Sequence, residues 1–209
     1  MGLQTHYCHI LHILFNKMRI YNPNEISQIN FSNGIYIMFE DGEYYNNRGI
    51  RRVVRVGTHT KKDRLIKRLN DHFIHKNEDG SIFRKNMGKA ILNKDNDSYL
   101  PIWIKNTRPK EYLIKKKSTE DAVSDYLYKH ITLTAFPVDS RADRLRYETA
   151  IIATLNKENA FRPSNNWFGR YSTELKIRNS GLWLKNGLNG DVLTPSEFNS
   201  LCNILRNQI

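Results

Sequence analysis

The chain has 209 residues, enough for one well-packed core with some elaborations. Lys and Arg number 33 against 21 Asp and Glu, which gives a formal charge of +12 and a pI near 9.7. A chain this basic attracts polyanions, so nucleic acid is the first partner to consider, and no lipidation signal or basic amphipathic segment supports a membrane partner. Two cysteines, Cys8 and Cys202, exclude a disulfide framework and a four-cysteine zinc site, and they favour a reducing cytoplasm.

The N-terminal stretch CHILHILF, residues 8–15, is moderately apolar but too short to span a bilayer. Donor atoms for a soft metal are present on His6, Cys8, His9 and His12. We expect instead that residues 1–33 form an N-terminal extension whose Ile and Leu side chains pack on the core.

Short apolar runs predict the strands of a small sheet. Residues 34–40 (GIYIMFE) and 52–57 (RVVRVG) are rich in β-branched and aromatic side chains, and Asp41-Gly42 is a hairpin-turn signal between them. Two further strand candidates are residues 99–105 (YLPIWIK) and 131–138 (ITLTAFPV).

Helical spacing of apolar residues predicts helices over residues 62–73, 81–93 and 119–130. Another helix over 141–155 follows Ser140, a candidate N-cap. Near the C-terminus, Thr194 and Glu197 form a capping box with Pro195 at the first helical position, which predicts a final helix that is structural.

Three residues at helical spacing could bind a phosphate. Arg64, Arg68 and His72 lie at i, i+4 and i+8, so they project from one face of the predicted helix. A guanidinium grips phosphate oxygens with two donors. The alternative is a solvated basic face, but this helix follows a strand that ends at Gly57, and active-site loops commonly gather at such positions in α/β folds.

Glu148 lies within the apolar stripe of the 141–155 helix. A carboxylate that points at a core is costly unless it is paired or binds a metal. A structural salt bridge to an Arg and ligation of a single Mg²⁺ are about equally consistent with this position.

Tyr36 is a third candidate, because a phenol held beside a cation can accept a proton from water. The alternative is an ordinary core aromatic on the first strand.

Taken in order, these motifs resemble the GIY-YIG nuclease family. The first motif is intact as Gly34-Ile35-Tyr36, whereas the second reads Arg55-Val56-Gly57 where the family has Tyr-Ile-Gly. Arg68 and His72 match the family's Arg followed four residues later by His or Tyr. Glu148 corresponds to its metal-binding Glu, and either Asn165 or Asn166 to its Asn. The segments GSIFRKNMGKAIL and RNSGLW also resemble a bacterial branch whose second motif is RVG.

The resemblance implies an α/β (α+β) fold with a small three-stranded central β-sheet flanked by helices, and with added strands and helices. The nuclease core would span residues 34–167, followed by a C-terminal extension over 168–209. It also implies a Mg²⁺-dependent DNA endonuclease, with Mn²⁺ as a substitute metal. The implied roles are Glu148 as metal ligand, Arg68 as stabiliser of phosphoryl charge, Tyr36 as general base and His72 as proton relay. Auxiliary residues would be Arg55, Gly57, His59, Arg64 and Asn165 or Asn166, with the asparagine bracing the region of Glu148 by hydrogen bonding.

DNA contacts are expected from two basic segments. The first is the connection between the motif strands, with Arg48, Arg51 and Arg52; the second contains Lys105, Arg108, Lys110, Lys115, Lys116 and Lys117. A charged loop that aids solubility would have the same composition. We expect a restriction-type defence nuclease, and a homodimer would suit cleavage of both strands of a palindrome. The alternatives are a DNA-binding protein that has lost cleavage and an interaction protein in which Glu148 pairs with an Arg.

Overall fold

The computed structural model describes residues 3–46, 49–105, 109–159 and 161–209. Three strands, β1 (Gly34–Tyr45), β2 (Ile50–Gly57) and β3 (Ile131–Pro137), form one antiparallel sheet in the order β2-β1-β3. The predicted fold class and its three-stranded central sheet are therefore confirmed.

Eight α-helices surround the sheet within the described ranges. They are α1 (Leu3–Lys17), α2 (Leu65–Phe73), α3 (Ile82–Lys94), α4 (Leu100–Ile104), α5 (Leu113–His130), α6 (Arg141–Asn156), α7 (Leu175–Ser180) and α8 (Pro195–Arg206). The predicted caps are present: the Ser140 hydroxyl accepts from the Asp143 amide at 3.3 Å, and Thr194 and Glu197 form the capping box that starts α8.

Alternating side chains of β1 pack into two different helical layers, as the two-residue period of a strand requires. Ile35, Ile37 and Phe39 contact a core layer built with α1, α6 and α8. Tyr36 and Met38 face the opposite layer, which α2, α3 and α5 provide. The sheet is thus buried on both faces, and the two layers meet beyond the end of β2.

Both edges of the sheet are covered by backbone hydrogen bonds from other segments. Tyr21 pairs with Leu133 of β3 through two bonds of 2.7 and 3.0 Å. On the other edge, the Trp183 amide donates to the Val54 carbonyl of β2 at 2.7 Å. These contacts satisfy polar groups that an open edge strand would expose.

The predicted turn at Asp41-Gly42 is wrong, because β1 continues to Tyr45. Gly42 has φ +79°, and the pairing with β2 is irregular between Phe39 and Tyr44. The glycine therefore relieves an irregularity within the strand instead of reversing the chain.

Residues 99–105 were expected to form a strand, and they contain α4 instead. Pro101 stands in the first turn of this helix, where its missing N–H costs nothing. The Trp103 ring lies against Gly88 of α3, where a Cβ would approach it to 2.4 Å, and its Nε1 donates to the Lys85 carbonyl at 3.0 Å. This packing overrides local β-propensity, so the described ranges contain no strand added to the central three.

The N-terminal segment packs on the sheet through α1, which buries Cys8, Leu11 and Phe15. His12 is also fully buried: its Nδ1 donates to the Cys8 carbonyl at 2.8 Å and its Nε2 accepts from the Val53 amide at 3.3 Å. Burial lowers the pKa of His12 to about 3. No group of three His, Cys, Asp or Glu suited to a metal occurs in the described part of the chain.

None of the helices described above combines the length and hydrophobicity that a bilayer-spanning segment requires.

Candidate active site

A cleft of about 410 Å³ lies beyond the end of β2, where the two helical layers meet. Three predicted residues line it: Arg55 from β2, Arg68 from α2 and Glu148 from α6. The sequence places these residues up to 93 positions apart, so only the fold brings them together.

Glu148 is half-buried on the wall of this cleft. Its Oε1 accepts a hydrogen bond from the Thr58 amide at 3.1 Å, and it enters no salt bridge within the described ranges. Burial raises the pKa of Glu148, while the positive charges of Arg55 and Arg68 act in the opposite direction. The carboxylate is therefore held in place by a backbone amide, and Arg55 and Arg68 act on it through their charge without forming a salt bridge.

Arg68 and Arg64 occupy the start of α2. Arg68 is half-buried, and its Nη1 donates to the Gly80 carbonyl at 3.2 Å, which aims the guanidinium along the cleft. Arg64 is exposed immediately before the helix, and it lines an adjacent cleft together with Lys61 and Lys67. One side of the site is therefore strongly cationic.

Tyr36 and His72 lie behind the cleft wall, and both are almost fully buried, at 1% and 0% exposure. The Tyr36 hydroxyl and His72 Nε2 are 2.7 Å apart, and His72 Nδ1 is 2.7 Å from the Ser81 hydroxyl. Burial lowers the pKa of His72 well below its ordinary value, and Arg55, Arg68 and Arg84 lower it further. A neutral imidazole therefore connects a phenol to a serine through two short hydrogen bonds.

Gly57 makes room for the Tyr36 ring. The two residues face each other across β1 and β2, and a Cβ on Gly57 would lie 2.3 Å from the Tyr36 hydroxyl oxygen. The last residue of the second motif thus fixes the position of the tyrosine of the first.

Arg55 replaces the tyrosine of the family's second motif, and its surroundings explain how an arginine fits there. Val54 has no partner in the register between β1 and β2, and this bulge directs Val54 and Arg55 toward the layer of Tyr36. The Arg55 guanidinium lies 4.9 Å from the centre of the Phe83 ring and donates to the Trp183 carbonyl. It is thus anchored at one end while it lines the cleft.

His59 has a structural role. Its Nδ1 donates to the Lys61 carbonyl at 2.5 Å, and its Nε2 accepts from the Gly34 amide at 3.3 Å. Burial lowers its pKa, so the ring is neutral. Both nitrogens are engaged in fixing the loop after β2, which leaves neither of them for substrate.

The expectation that Asn165 or Asn166 braces Glu148 is wrong. Both side chains are exposed on a loop that Ser164 ties to Glu43, with a 3.1 Å bond from the Ser164 amide. Glu43 stands seven positions beyond Tyr36 on β1, about 20 Å along the strand. The loop therefore lies at the opposite end of the sheet from the cleft.

Sequence reasoning missed two residues of the site. Asn186 lines the cleft beside Glu148, and it is exposed there. The pattern KNGLNG around it, with glycines that permit a close approach of the backbone, was an available signal. Ser81 caps α3 and contacts His72, and its place at the start of the predicted 81–93 helix could have indicated it.

The predicted DNA contacts between β1 and β2 are not supported at Arg52. This residue is fully buried and donates to the Glu43 carboxylate through Nε at 2.8 Å and Nη2 at 2.6 Å. A third bond of 2.6 Å joins its Nη1 to the Gly181 carbonyl. Arg51 is half-buried over the Phe39 ring. Arg48, the third predicted contact, lies outside the described residues.

The second basic segment is partly neutralised. Lys115 pairs with Asp97, and Lys116 pairs with Glu78 at 3.2 Å. Lys105, Lys110 and Lys117 are exposed, and Arg108 lies outside the described residues. Two of the predicted phosphate contacts therefore already have acidic partners.

Comparison with known families agrees with this geometry. A family model described as a GIY-YIG domain matches residues 9–208, which is nearly the whole chain. Comparisons with curated proteins and with solved structures each gave no match.

Proposed function

Because the chain belongs to the GIY-YIG domain family, and so has the fold of nuclease-type hydrolases that act on DNA, we propose that it is a Mg²⁺-dependent endonuclease that hydrolyses phosphodiester bonds in DNA. The observation that carries this proposal is the meeting of Glu148, Arg68 and Arg55 in one cleft beside the Tyr36–His72 pair. A carboxylate, two guanidinium groups and a proton acceptor are the groups that such a hydrolysis needs.

The donor set fits a single magnesium ion. Glu148 is the only acidic side chain lining the cleft in the described part of the chain, and one of its oxygens is free of protein hydrogen bonds there. Mg²⁺ keeps most of its water ligands and is commonly bound through one or two carboxylates plus substrate phosphate. When bound, it would supply charge stabilisation at the phosphate and the leaving oxygen.

Arg68 and Arg55 would bind the scissile phosphate. Each guanidinium is oriented by a backbone carbonyl, Gly80 for Arg68 and Trp183 for Arg55. Such preorganised donors contribute several kcal/mol to stabilisation of the charge that develops on the phosphoryl oxygens.

Tyr36 and His72 would move the proton of the attacking water. As the water oxygen bonds to phosphorus and the bond to the leaving oxygen breaks, the Tyr36 oxygen accepts the water proton and passes its own to His72 Nε2. With the imidazole hydrogen on Nδ1 toward Ser81, Nε2 is free to accept, because His72 is neutral at ordinary pH. Ser81 would thus hold His72 in the productive tautomer.

A DNA-binding protein without cleavage is the second candidate. The 1% exposure of Tyr36 favours it, as does the replacement of the second motif tyrosine by Arg55. It predicts binding to DNA that survives removal of Glu148 and no metal-dependent hydrolysis.

Cleavage of supercoiled plasmid in Mg²⁺ tests the proposal. We expect Glu148→Gln and Arg68→Ala to lose at least ~100-fold in rate, the effect of removing one preorganised charge-stabilising group. Lys129→Ala is the matched control, because Lys129 is exposed on α5 and paired with Asp125 at 2.8 Å. Excess EDTA should stop the reaction.

Glu148→Gln also has a stability readout. Burial raises the pKa of Glu148, so the ionised carboxylate costs folding free energy at neutral pH, and the neutral variant should melt no lower than wild type. Equal cleavage by wild type and both site variants would contradict the proposed site. Binding without cleavage by any of them would support the second candidate.

We further propose a restriction-type defence role, exercised in the cytoplasm by a homodimer. The free thiols of Cys8 and Cys202 fit a reducing compartment. Mapped cut sites that repeat at one palindrome, together with a dimeric mass in solution, are the expected results.

A further inference from the structure

We propose that one strand of a DNA duplex crosses the active-site cleft along a trough that continues on both sides of it, and that asparagine side chains at one end of the trough read base edges. This inference rests on the proposed nuclease function and adds to it a path for the substrate and a specificity site. The trough consists of the central cleft, a basic arm (residues 58–68) and an amide arm (residues 176–190).

The three clefts are continuous because they share lining residues. Arg68 lines both the central cleft and the basic arm, whose volume is about 350 Å³. Lys185, Asn186 and Gly187 line both the central cleft and the amide arm, whose volume is about 600 Å³. Glu148 therefore lies midway along the trough.

The basic arm carries cations that have no acidic partner. Lys61 and Arg64 are exposed, and neither forms a salt bridge with a residue in the described ranges. Lys67 of the same arm pairs with Asp71 at 3.1 Å, and some exposed lysines elsewhere are also paired, such as Lys76 with Asp121 at 2.6 Å and Lys129 with Asp125 at 2.8 Å. A paired lysine gains less from a phosphate than an unpaired one, so Lys61 and Arg64 are the cations of this arm that we expect to contact phosphates and release counterions.

The amide arm presents uncommitted amides. Asn179, Asn186 and Asn189 are exposed, and their side chains make no hydrogen bond to any residue that the structure describes. An amide offers one acceptor and two donors, which match the adenine edge in the major groove with two bonds. Lys176 is exposed in the same arm, without a salt bridge in the described ranges, and suits a flanking phosphate.

The amide arm is fixed relative to Glu148. Gly187 has φ +81°, and the Gly190 amide donates to the Gly187 carbonyl at 3.2 Å, which closes a tight turn. Leu188 is buried within this turn, and its carbonyl accepts from Asn156 of α6 at 3.0 Å. A Cβ on Gly190 would lie 2.8 Å from Thr149, the neighbour of Glu148. Bases bound by the amide arm are therefore held at a fixed distance from the phosphodiester bond that is cut.

The path is tested by anisotropy of a fluorescein-labelled random-sequence duplex, titrated in EDTA over a series of salt concentrations. We expect Lys61→Ala and Lys176→Ala each to reduce the slope of log Kd against log salt by about one. Lys129→Ala, which removes the same charge outside the trough, should keep the wild-type slope. Thermal melting verifies that each exposed variant is folded.

The reading role is tested by selecting bound duplexes from a randomised library and sequencing them. We expect Asn179→Ala and Asn189→Ala to lose preference at individual base positions while they keep the wild-type salt slope. Asn203→Ala on α8 is the control, because Asn203 is exposed and contacts Arg206. An unchanged preference in both arm variants would overturn the reading role.

The outcomes separate this inference from the proposed function. If wild type neither binds nor cuts duplex DNA, the proposed function fails and the inference fails with it. If wild type binds and cuts, but Lys61→Ala and Lys176→Ala keep the slope of Lys129→Ala, the trough is refuted and the nuclease assignment stands.

Discussion

Replacing Gly57 by alanine should disable the site although it removes no reacting group. The new Cβ would lie 2.3 Å from the Tyr36 hydroxyl oxygen and 2.4 Å from its Cζ, whereas ordinary contact begins at 3.4 Å. The phenol must therefore shift by about 1 Å, and its ring is almost fully buried in a core that we expect to be closely packed. Such a shift breaks the 2.7 Å hydrogen bond from the phenol to His72.

Two magnitudes follow for Gly57→Ala. Overpacking of a core site costs about 1–3 kcal/mol, and the gain from restricting the unfolded chain returns only about 0.4–1 kcal/mol, so we expect a net loss in unfolding free energy. A misplacement of about 1 Å at a catalytic group lowers the rate by about 100-fold. Urea unfolding measures the first quantity and plasmid cleavage the second.

Two further variants make this prediction specific. Gly80→Ala is the stability control, because its Cβ would meet no atom closer than 3.6 Å. Tyr36→Phe removes the hydroxyl without adding atoms, and it should reproduce the loss of rate without the overpacking. Wild-type stability and cleavage in Gly57→Ala would refute the role assigned to the close contact between β1 and β2.

Two other predictions concern buried titratable side chains. Burial lowers the pKa of His12 to about 3. As the pH drops below about 6.5, this histidine becomes protonated in the unfolded chain but stays neutral in the folded one. The free energy of unfolding therefore falls as the pH drops from 6.5. In His12→Gln the slope of unfolding free energy between pH 6.5 and 5.5 should be smaller by up to ~1.4 kcal/mol per pH unit; an equal slope in urea titrations would contradict a neutral buried imidazole. Glu43→Gln leaves the buried Arg52 cation without its counter-charge, which should cost about 3–5 kcal/mol in urea unfolding. The salt dependence of DNA binding should not change in that variant, and a smaller slope would restore Arg52 as a DNA contact.

The site residues that could be recognised from the sequence are those whose side chains are unusual for a buried helix or strand. Glu148 was recognisable because a carboxylate interrupts an apolar stripe, and Gly57 because a glycine ends a strand of β-branched residues. The local sequence pattern reveals such residues, because a polar side chain or a glycine in a buried helix or strand costs folding free energy. Such a residue is therefore expected mainly where function requires it.

The errors arose where a distant residue decides the local structure. Residues 99–105 have strand propensity, but the absence of a side chain at Gly88 lets the Trp103 ring pack against α3, and this packing favours a helix over Leu100–Ile104. From the sequence, Asn165 and Asn186 are equally plausible as the asparagine beside Glu148. Only the positions of their loops relative to the sheet show that Asn186 lies there and Asn165 does not. Burial of Arg52 likewise depends on Glu43 and on the Gly181 carbonyl, which no periodicity in β2 predicts.

The hydrogen bonds between residues 181–183 and β2 also set the order in which the fold can be completed during synthesis. Val54 and Arg55 obtain their Trp183 partner only after most of the polypeptide has left the ribosome. Until then the outer strand is uncovered and the arginine lacks its anchor. We therefore expect the proposed hydrolytic activity to come late in synthesis, together with closure of the sheet.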